Sequence, residues 1–169
     1  MAKVILHITT SLDGFIADEN GNSDFARAAE QADTGFATFY DSVGSVVMGR
    51  KTYDYLKNRN AELFTDKDVF VITHYLRQKE NNATFIHEDI MGQIEALKKQ
   101  SGKDVWLLGG SEVVNILIKA RLVDEIVLTT APLILGTGTR LFKNDNPTEQ
   151  VKLVSTTHFG DYVQTVYRF

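Results

Sequence analysis

The chain has 169 residues, 18 Lys and Arg against 22 Asp and Glu, and a net charge of −4. With 43% hydrophobic and 24% charged residues it has the composition of a folded globular chain long enough to bury a core, one domain over 1–169 being the expectation. It lacks the basic surplus that nucleic acid or an anionic membrane would call for. There are no cysteines, which excludes disulfide scaffolds, thiol catalysis and cysteine-ligated zinc.

In chain order, residues 3–10 (KVILHITT) are apolar and β-branched and predict a buried first strand ending in the turn Ser11-Leu12-Asp13-Gly14. The apolar run 4–8 is interrupted by His7 and is too short for a signal core or a membrane span, so a soluble cytoplasmic protein is expected. His7 itself reads as a packed or edge histidine. After a polar loop at 18–23, residues 24–43 carry Phe25, Ala28, Ala29, Ala32, Phe36, Phe39 and Val43 at helical spacing, with Gly35 inside the pattern. A short strand at 45–48 closes on Gly49, and a helix follows over 50–57. Strands are expected at 69–73 and 84–86, then a helix at 90–100 with Gly102 as its stop. A strand at 105–108 runs into Gly109-Gly110, and a helix follows at 112–120. A strand at 125–130, a loop at 132–138 and a closing antiparallel pair at 151–157 and 162–169 complete the chain. Strands alternating with helices and then a β-rich tail argue for a three-layer α/β fold, its sheet mixed but mostly parallel, with antiparallel strands at the C-terminus.

Four strand ends carry residues suited to a ligand. In Met48-Gly49-Arg50-Lys51-Thr52 a strand meets a helix start with two cations and a hydroxyl, a junction fitted to phosphate, although a tight turn with solvated cations reads equally well. In Leu108-Gly109-Gly110-Ser111-Glu112 the paired glycines would let a ligand approach the backbone. The spacing is neither a Rossmann fingerprint nor a Walker loop. Ser11-Leu12-Asp13-Gly14-Phe15-Ile16-Ala17 and Thr73-His74 complete the set; a plain Asp-Gly turn and a solvated histidine are their simpler readings. His7, His74, His87 and His158 show no metal-ligand spacing, and no metal is expected. Ligand-type residues at four strand ends would be explained together by one dinucleotide-sized anionic ligand.

Together these motifs resemble the dihydrofolate reductase-like fold, and within it the reductase domain of bacterial riboflavin biosynthesis and its stand-alone relatives. The resemblance covers nearly the whole chain; Val123-Asp124-Glu125-Ile126, Pro132 through Gly138 and Leu141-Phe142 favour the riboflavin branch. It implies NADPH as cofactor, with Gly49, Arg50, Lys51 and Thr52 at phosphate groups and Thr73 and His74 near the adenosine. Gly109, Gly110, Ser111, Glu112 and Val113 would face the pyrophosphate, and Thr9, Ile16 and Ala17 the nicotinamide. Asp33, fifteen residues before Met48, stands at the family's spacing for the acid that holds substrate, with Asp24 and Glu30 as competitors. Thr9, Ser11 and Asp33 are thus the candidate catalytic residues.

The implied activity is a reductase acting on a small heterocycle or ribosylamino-pyrimidine. Asp66-Lys67-Asp68 stands where folate reductases carry an arginine, and the only tryptophan, Trp106, is not in the first loop, which weighs against folate. A divergent dihydrofolate reductase and a non-catalytic NADPH-binding regulator are the alternatives. The partners expected are a small-molecule substrate and, from the β-rich edge, a second copy of the chain, with no nucleic acid and no membrane.

Overall fold

The computed structural model describes residues 1–31, 35–60 and 64–169, the side chains of residues 30 and 31 excepted. The elements in order are β1 (Val4–Thr10), β2 (Phe15–Ala17), α1 (Asp24–Gln31), α2 (Phe36–Ser42), β3 (Val43–Gly49), α3 (Arg50–Lys57), β4 (Asp68–Ile72) and β5 (Ala83–Ile86). They continue with α4 (Ile90–Gln100), β6 (Asp104–Gly109), α5 (Ser111–Lys119), β7 (Glu125–Thr130), β8 (Thr139–Arg140), β9 (Lys152–Phe159) and β10 (Tyr162–Arg168).

Eight strands form one sheet in the order β5-β4-β3-β6-β1-β7-β10-β9. The six from β5 to β7 are parallel, while β10 and β9 run antiparallel to their neighbours. Their residues are β-branched and apolar without strict alternation because helices cover both faces of the parallel part. On one face Val4, Leu6, Val105, Leu107 and Ile126 pack with Ile94 of α4 and Val113, Val114 and Leu117 of α5. On the other, Val46, Met48, Val69, Val71 and Trp106 pack with Tyr53 of α3 and with Phe36, Phe39 and Tyr40 of α2. This is the three-layer, mostly parallel arrangement with antiparallel C-terminal strands that the element order implies.

Most predicted elements recur within a residue or two. The expected helix over 24–43 does not run through. Gly35 has a φ of 72°, a left-handed conformation that no helix interior takes, and it caps a separate α2. Val43, assigned to that helix from its spacing, belongs to β3. Gly102 is not the stop of α4; Ser101 ends it in an extended conformation (φ −70°, ψ 127°). A two-stranded ribbon, β2 with β8, was not anticipated. Among the described residues, no helix is long and apolar enough to cross a membrane.

Trp106 is 4% exposed and packs edge-on against Phe36, Phe39, Tyr40 and Phe64, with centroids 5.5 to 6.4 Å away. Trp106→Ala is therefore expected to lower the unfolding free energy by about 3–5 kcal/mol in a urea titration, with the transition still cooperative.

Candidate functional site

Because β1, β3, β4 and β6 are parallel, the segments following them all leave one edge of the sheet. The β3–α3 and β6–α5 junctions lie side by side there, since β3 and β6 are hydrogen-bonded neighbours. A Cβ at Gly49 would lie 3.1 Å from Val113 Cγ2, and one at Gly110 would lie 3.2 Å from Thr52 Oγ1. Gly49 and Gly110 are the N-caps of α3 and α5, and neither provides a side-chain cap. Among the described residues no side chain caps either start, so two sets of first-turn backbone N–H groups and two positive dipole ends lie side by side at this edge. The Gly109–Gly110 peptide bond is cis, and Gly109 has a φ of 122°, a conformation that a side chain would disfavour.

Cations surround this junction. Arg50 Nη1 donates to Asp54 Oδ2 at 2.6 Å on the same helix, and Arg77 Nη1 lies 3.7 Å from Asp54. Lys51 and His74 are exposed. Glu112, in the first turn of α5, accepts from Lys143 Nζ at 3.1 Å. Its carboxyl is held below the usual range first by that bond and then by the charges of Lys143, Lys51 and His74. Lys51 after β3 and His74 after β4 thus both act electrostatically on this one carboxylate at the start of α5. The Ser111 hydroxyl, by contrast, donates to the Leu141 carbonyl at 3.2 Å, and Val113 is buried. What the start of α5 offers a ligand is backbone N–H, not those two side chains.

The β1 end is built differently. Thr9 and Thr129 are register partners across β1 and β7, both buried, and Gln164 Nε2 donates to the Thr129 hydroxyl at 3.1 Å. The Ser11 hydroxyl donates to Asp13 Oδ1 at 2.6 Å and accepts from Phe15 N–H at 2.9 Å, so it is committed inside its own turn. Asp13 also accepts from the N–H groups of Leu135 (3.1 Å) and Gly136 (2.7 Å), which pins the loop over 132–138 to this turn. Below it, Phe15 and Ala17 of β2 pair with Arg140 and Thr139 of β8. Gly138 is required there, because a Cβ would fall 2.1 Å from the Ala17 carbonyl oxygen. Ile16 and Ala17 are half-buried on this ribbon, and Thr73 is buried at the end of β4. Asp33 lies outside the described residues, as does Ala32.

Two polar residues hold the site together through contacts the sequence does not show. Asp13 stands in the sequence reading only within the candidate loop 11–17 or a plain Asp-Gly turn. Asn115 is buried on α5, where its amide donates to the carbonyl oxygens of Ser111 (2.5 Å) and Leu141 (2.9 Å) and its Oδ1 accepts from Lys143 N–H at 3.1 Å. A lone amide on the apolar face of α5, four residues after Ser111, was the available signal. Among the described residues, no cluster of His, Asp and Glu could hold a metal.

This architecture is the dihydrofolate reductase-like fold. A solved structure of a protein assigned to riboflavin biosynthesis from Shewanella sp. PV-4 superposes with a TM-score of 0.86 at 28% identity, over 99% of this chain and 98% of that one. Dihydrofolate reductase from Enterococcus faecalis, solved in complex with NADP(H) and RAB-propyl, superposes with a TM-score of 0.70 at 16% identity, over 98% and 95% of the two chains. The family model described as RibD C-terminal domain matches residues 2–165, and the chain belongs to that family. The uncharacterized protein YwjB of Bacillus subtilis is 34% identical over 168 residues, 98% of this chain and 97% of its own.

Acid should weaken the fold in two stages. His7, mostly buried, is lowered by that burial from 6.5 to about 4. The unfolded chain then binds more protons, and stability falls as pH drops from 6.5 through 4. The bonds from Ser11, Gly136 and Leu135 lower Asp13 from 3.8 to about 2, so its contribution, present above 3.8, is lost as pH falls toward 2. A pH series of thermal melts should show both stages in the wild type and lose the lower one in Asp13→Asn. Asn115→Ala should cost about 1–3 kcal/mol in chemical denaturation, since it strands buried groups.

Proposed function

We propose that the chain is an NADPH-dependent reductase of a small heterocyclic or ribosylamino-pyrimidine substrate, resembling the aminouracil reductase of riboflavin biosynthesis, with residues 1–169 acting as one domain. The observation that carries this reading is the pair of adjacent, uncapped helix starts at Gly49 and Gly110, flanked by Arg50, Lys51 and His74. That donor set fits a dinucleotide: backbone N–H groups and dipoles for the pyrophosphate, a guanidinium and an ammonium for a further phosphate. Gly49, Arg50, Lys51, Thr52 and the backbone of residues 109–113 would hold phosphates, with Thr73 and His74 at the adenosine end. Thr9, Ile16 and Ala17 would border the nicotinamide.

NADPH supplies the hydride when bound; the chain's own task is to bind, orient and exclude water. Thr9 would meet the reacting rings at the end of β1. Ser11 contributes by fixing the turn that carries Ile16 and Ala17. Asp33 is proposed, from its place in the sequence, to orient the substrate or relay a proton. The same reading includes a cytoplasmic homodimer. Every residue of β9 from Lys152 to His158 is exposed, with Leu153 and Val154 among them, and a second copy pairing along that edge would cover them.

Titration with NADPH followed by cofactor fluorescence should show saturable binding, and no binding up to millimolar cofactor would refute the assignment. Arg50→Glu should weaken NADPH by about tenfold or more while affecting NADH less, since the extra phosphate is what the guanidinium reads. Equal loss for both cofactors would contradict that role. Light scattering should give twice the chain mass, and a β9 variant with Val154→Lys should shift it toward the monomer.

A further inference from the structure

We infer that Asn20 is a site of spontaneous covalent modification, where the side-chain amide is lost to ring closure on the Gly21 backbone nitrogen at a rate that Asp18 holds back. Among the nine asparagines of the chain, Asn20 alone precedes a glycine. Without a Cβ, glycine least obstructs the approach of its own nitrogen to the preceding side chain.

Asn20 and Gly21 are exposed in the loop over 18–23 that joins β2 to α1. Among the described residues no group hydrogen-bonds the Asn20 carboxamide, so it can swing toward the next peptide. A Cβ built on Gly21 would meet nothing within 4 Å, and the approach is open. Other asparagines are tied or blocked. Asn22 Nδ2 donates to Asp18 Oδ2 at 3.4 Å, and Asn82 Nδ2 donates to the carbonyl oxygens of Phe64 and Lys67 at 2.5 and 3.0 Å. Asn115 is buried in α5, and Asn146 precedes Pro147, which has no N–H.

The chemistry needs only water. The Gly21 nitrogen, deprotonated, bonds to Cγ of Asn20; the Cγ–Nδ2 bond breaks, and the amide takes up a proton and leaves as ammonia. Water then opens the five-membered imide at one carbonyl or the other. The products are aspartate and, with the main chain rerouted through Cγ, isoaspartate.

The loop restrains this reaction. Gly21 N–H donates to the Asp18 carbonyl at 3.0 Å, and Asp18 N–H donates to the Asn22 carbonyl at 2.9 Å. Asp18 Oδ1 accepts from the N–H groups of Asn20 (2.8 Å) and Asn22 (2.9 Å). Those bonds, the one from Asn22 first, hold the Asp18 carboxyl below its ordinary range. The Gly21 nitrogen must therefore leave its bond before it attacks, beside a carboxylate that disfavours the anion it becomes. Exposed loops open at low cost, and apart from its own bonds this one is held to α3 by Ser23 N–H donating to the Tyr55 hydroxyl at 3.4 Å. Isoaspartate adds a main-chain atom between residues 20 and 21, which puts Asn22 out of register with Asp18. Asp18 directly follows β2, the strand that borders the nicotinamide on the reductase reading.

The test holds full-length protein in warm, mildly alkaline buffer and maps its peptides by mass spectrometry, with an isoaspartyl methyltransferase labelling the rerouted product. The wild type should convert at Asn20 ahead of every other asparagine, mostly to isoaspartate. Asn20→Gln, whose longer side chain would have to close a six-membered ring, should stay unmodified there. Asp18→Ala should react about fivefold faster, the rate equivalent of releasing one hydrogen bond. Asp18→Asn, which keeps an acceptor and loses the charge, should fall between, and serves alone if Asp18→Ala does not fold. The aged fraction should exchange its amide hydrogens faster over 15–22 and bind NADPH more weakly than fresh protein. Folded wild type that keeps the Asn20 amide while other asparagines convert, or that converts only in urea, would overturn the inference. Equal rates in the wild type and the folded Asp18 variants would overturn the part given to Asp18. Failure of fresh wild type to bind NADPH would count against the cofactor reading alone, since the mass readout does not depend on it.

Discussion

The placement of β6 between β3 and β1 governs the rest of this structure. Its backbone pairs in parallel with both, at Val46↔Trp106 on one side and Ile5↔Trp106 on the other. Parallel strands need crossover connections, so β3 and β6 must each be followed by a segment that leaves the same edge. The chain builds outward from β3 to β5, returns to insert β6, and then places β7 on the far side of β1. Reversal of strand order opens a crevice at the strands' carboxyl ends. Residues far apart in sequence, from Thr9 to Val113, therefore converge without any side chain having to draw them together.

Irregular backbone at such an edge leaves N–H and C=O groups that strands would have paired, and the protein satisfies them with two side chains. Asp13 stands in for a strand by accepting from Leu135 and Gly136, and Asn115 joins the start of α5 to Leu141 and Lys143. Neither group is available to a ligand, nor are the hydroxyls of Ser11 and Ser111, which serve the same internal purpose. The division has a chemical consequence. Groups fixed in this way hold the loops in shape, while the two helix starts, which no side chain among the described residues caps, keep their hydrogen-bonding capacity.

The sequence made the strands legible where burial on both faces demanded apolar, β-branched runs, as in Val4–Thr10 and Glu125–Thr130. The hairpin of β9 and β10 was legible from its alternation around Gly160. The helix starts at Gly49 and Gly110 were legible because each glycine stands between an apolar strand and a segment with helical spacing, although a plain turn fits either glycine taken alone. What was hidden depended on distant contacts. β2 and β8 have three and two residues, too few for any period, and exist because Gly138 lets one backbone approach the other. Asp13 looked like half of an ordinary Asp-Gly turn; the two backbone N–H groups it accepts from in the loop over 132–138 lie more than 120 residues away. The break before α2 was marked by Gly35, yet the apolar spacing continued across it, because α1 and α2 both lay apolar residues on the sheet.

The cations at this edge differ from Asp13 and Asn115 in being exchangeable. Arg50 and Asp54 are each 39% exposed, and Asp54 is in turn approached by Arg77, which bonds Glu80, itself bonded by Lys57. Exposed pairs of this kind contribute about 0–1 kcal/mol each, so little is lost when a guanidinium leaves its carboxylate. A phosphate offers that guanidinium more charge and a two-pronged set of acceptors, which favours the exchange. The carboxylates hold the cations near the helix starts and offset their mutual repulsion when no anion is bound. An edge with a small surplus of cations, loosely paired, over rigidly bonded loops would suit an anionic ligand of the kind proposed above without any rebuilding of its backbone.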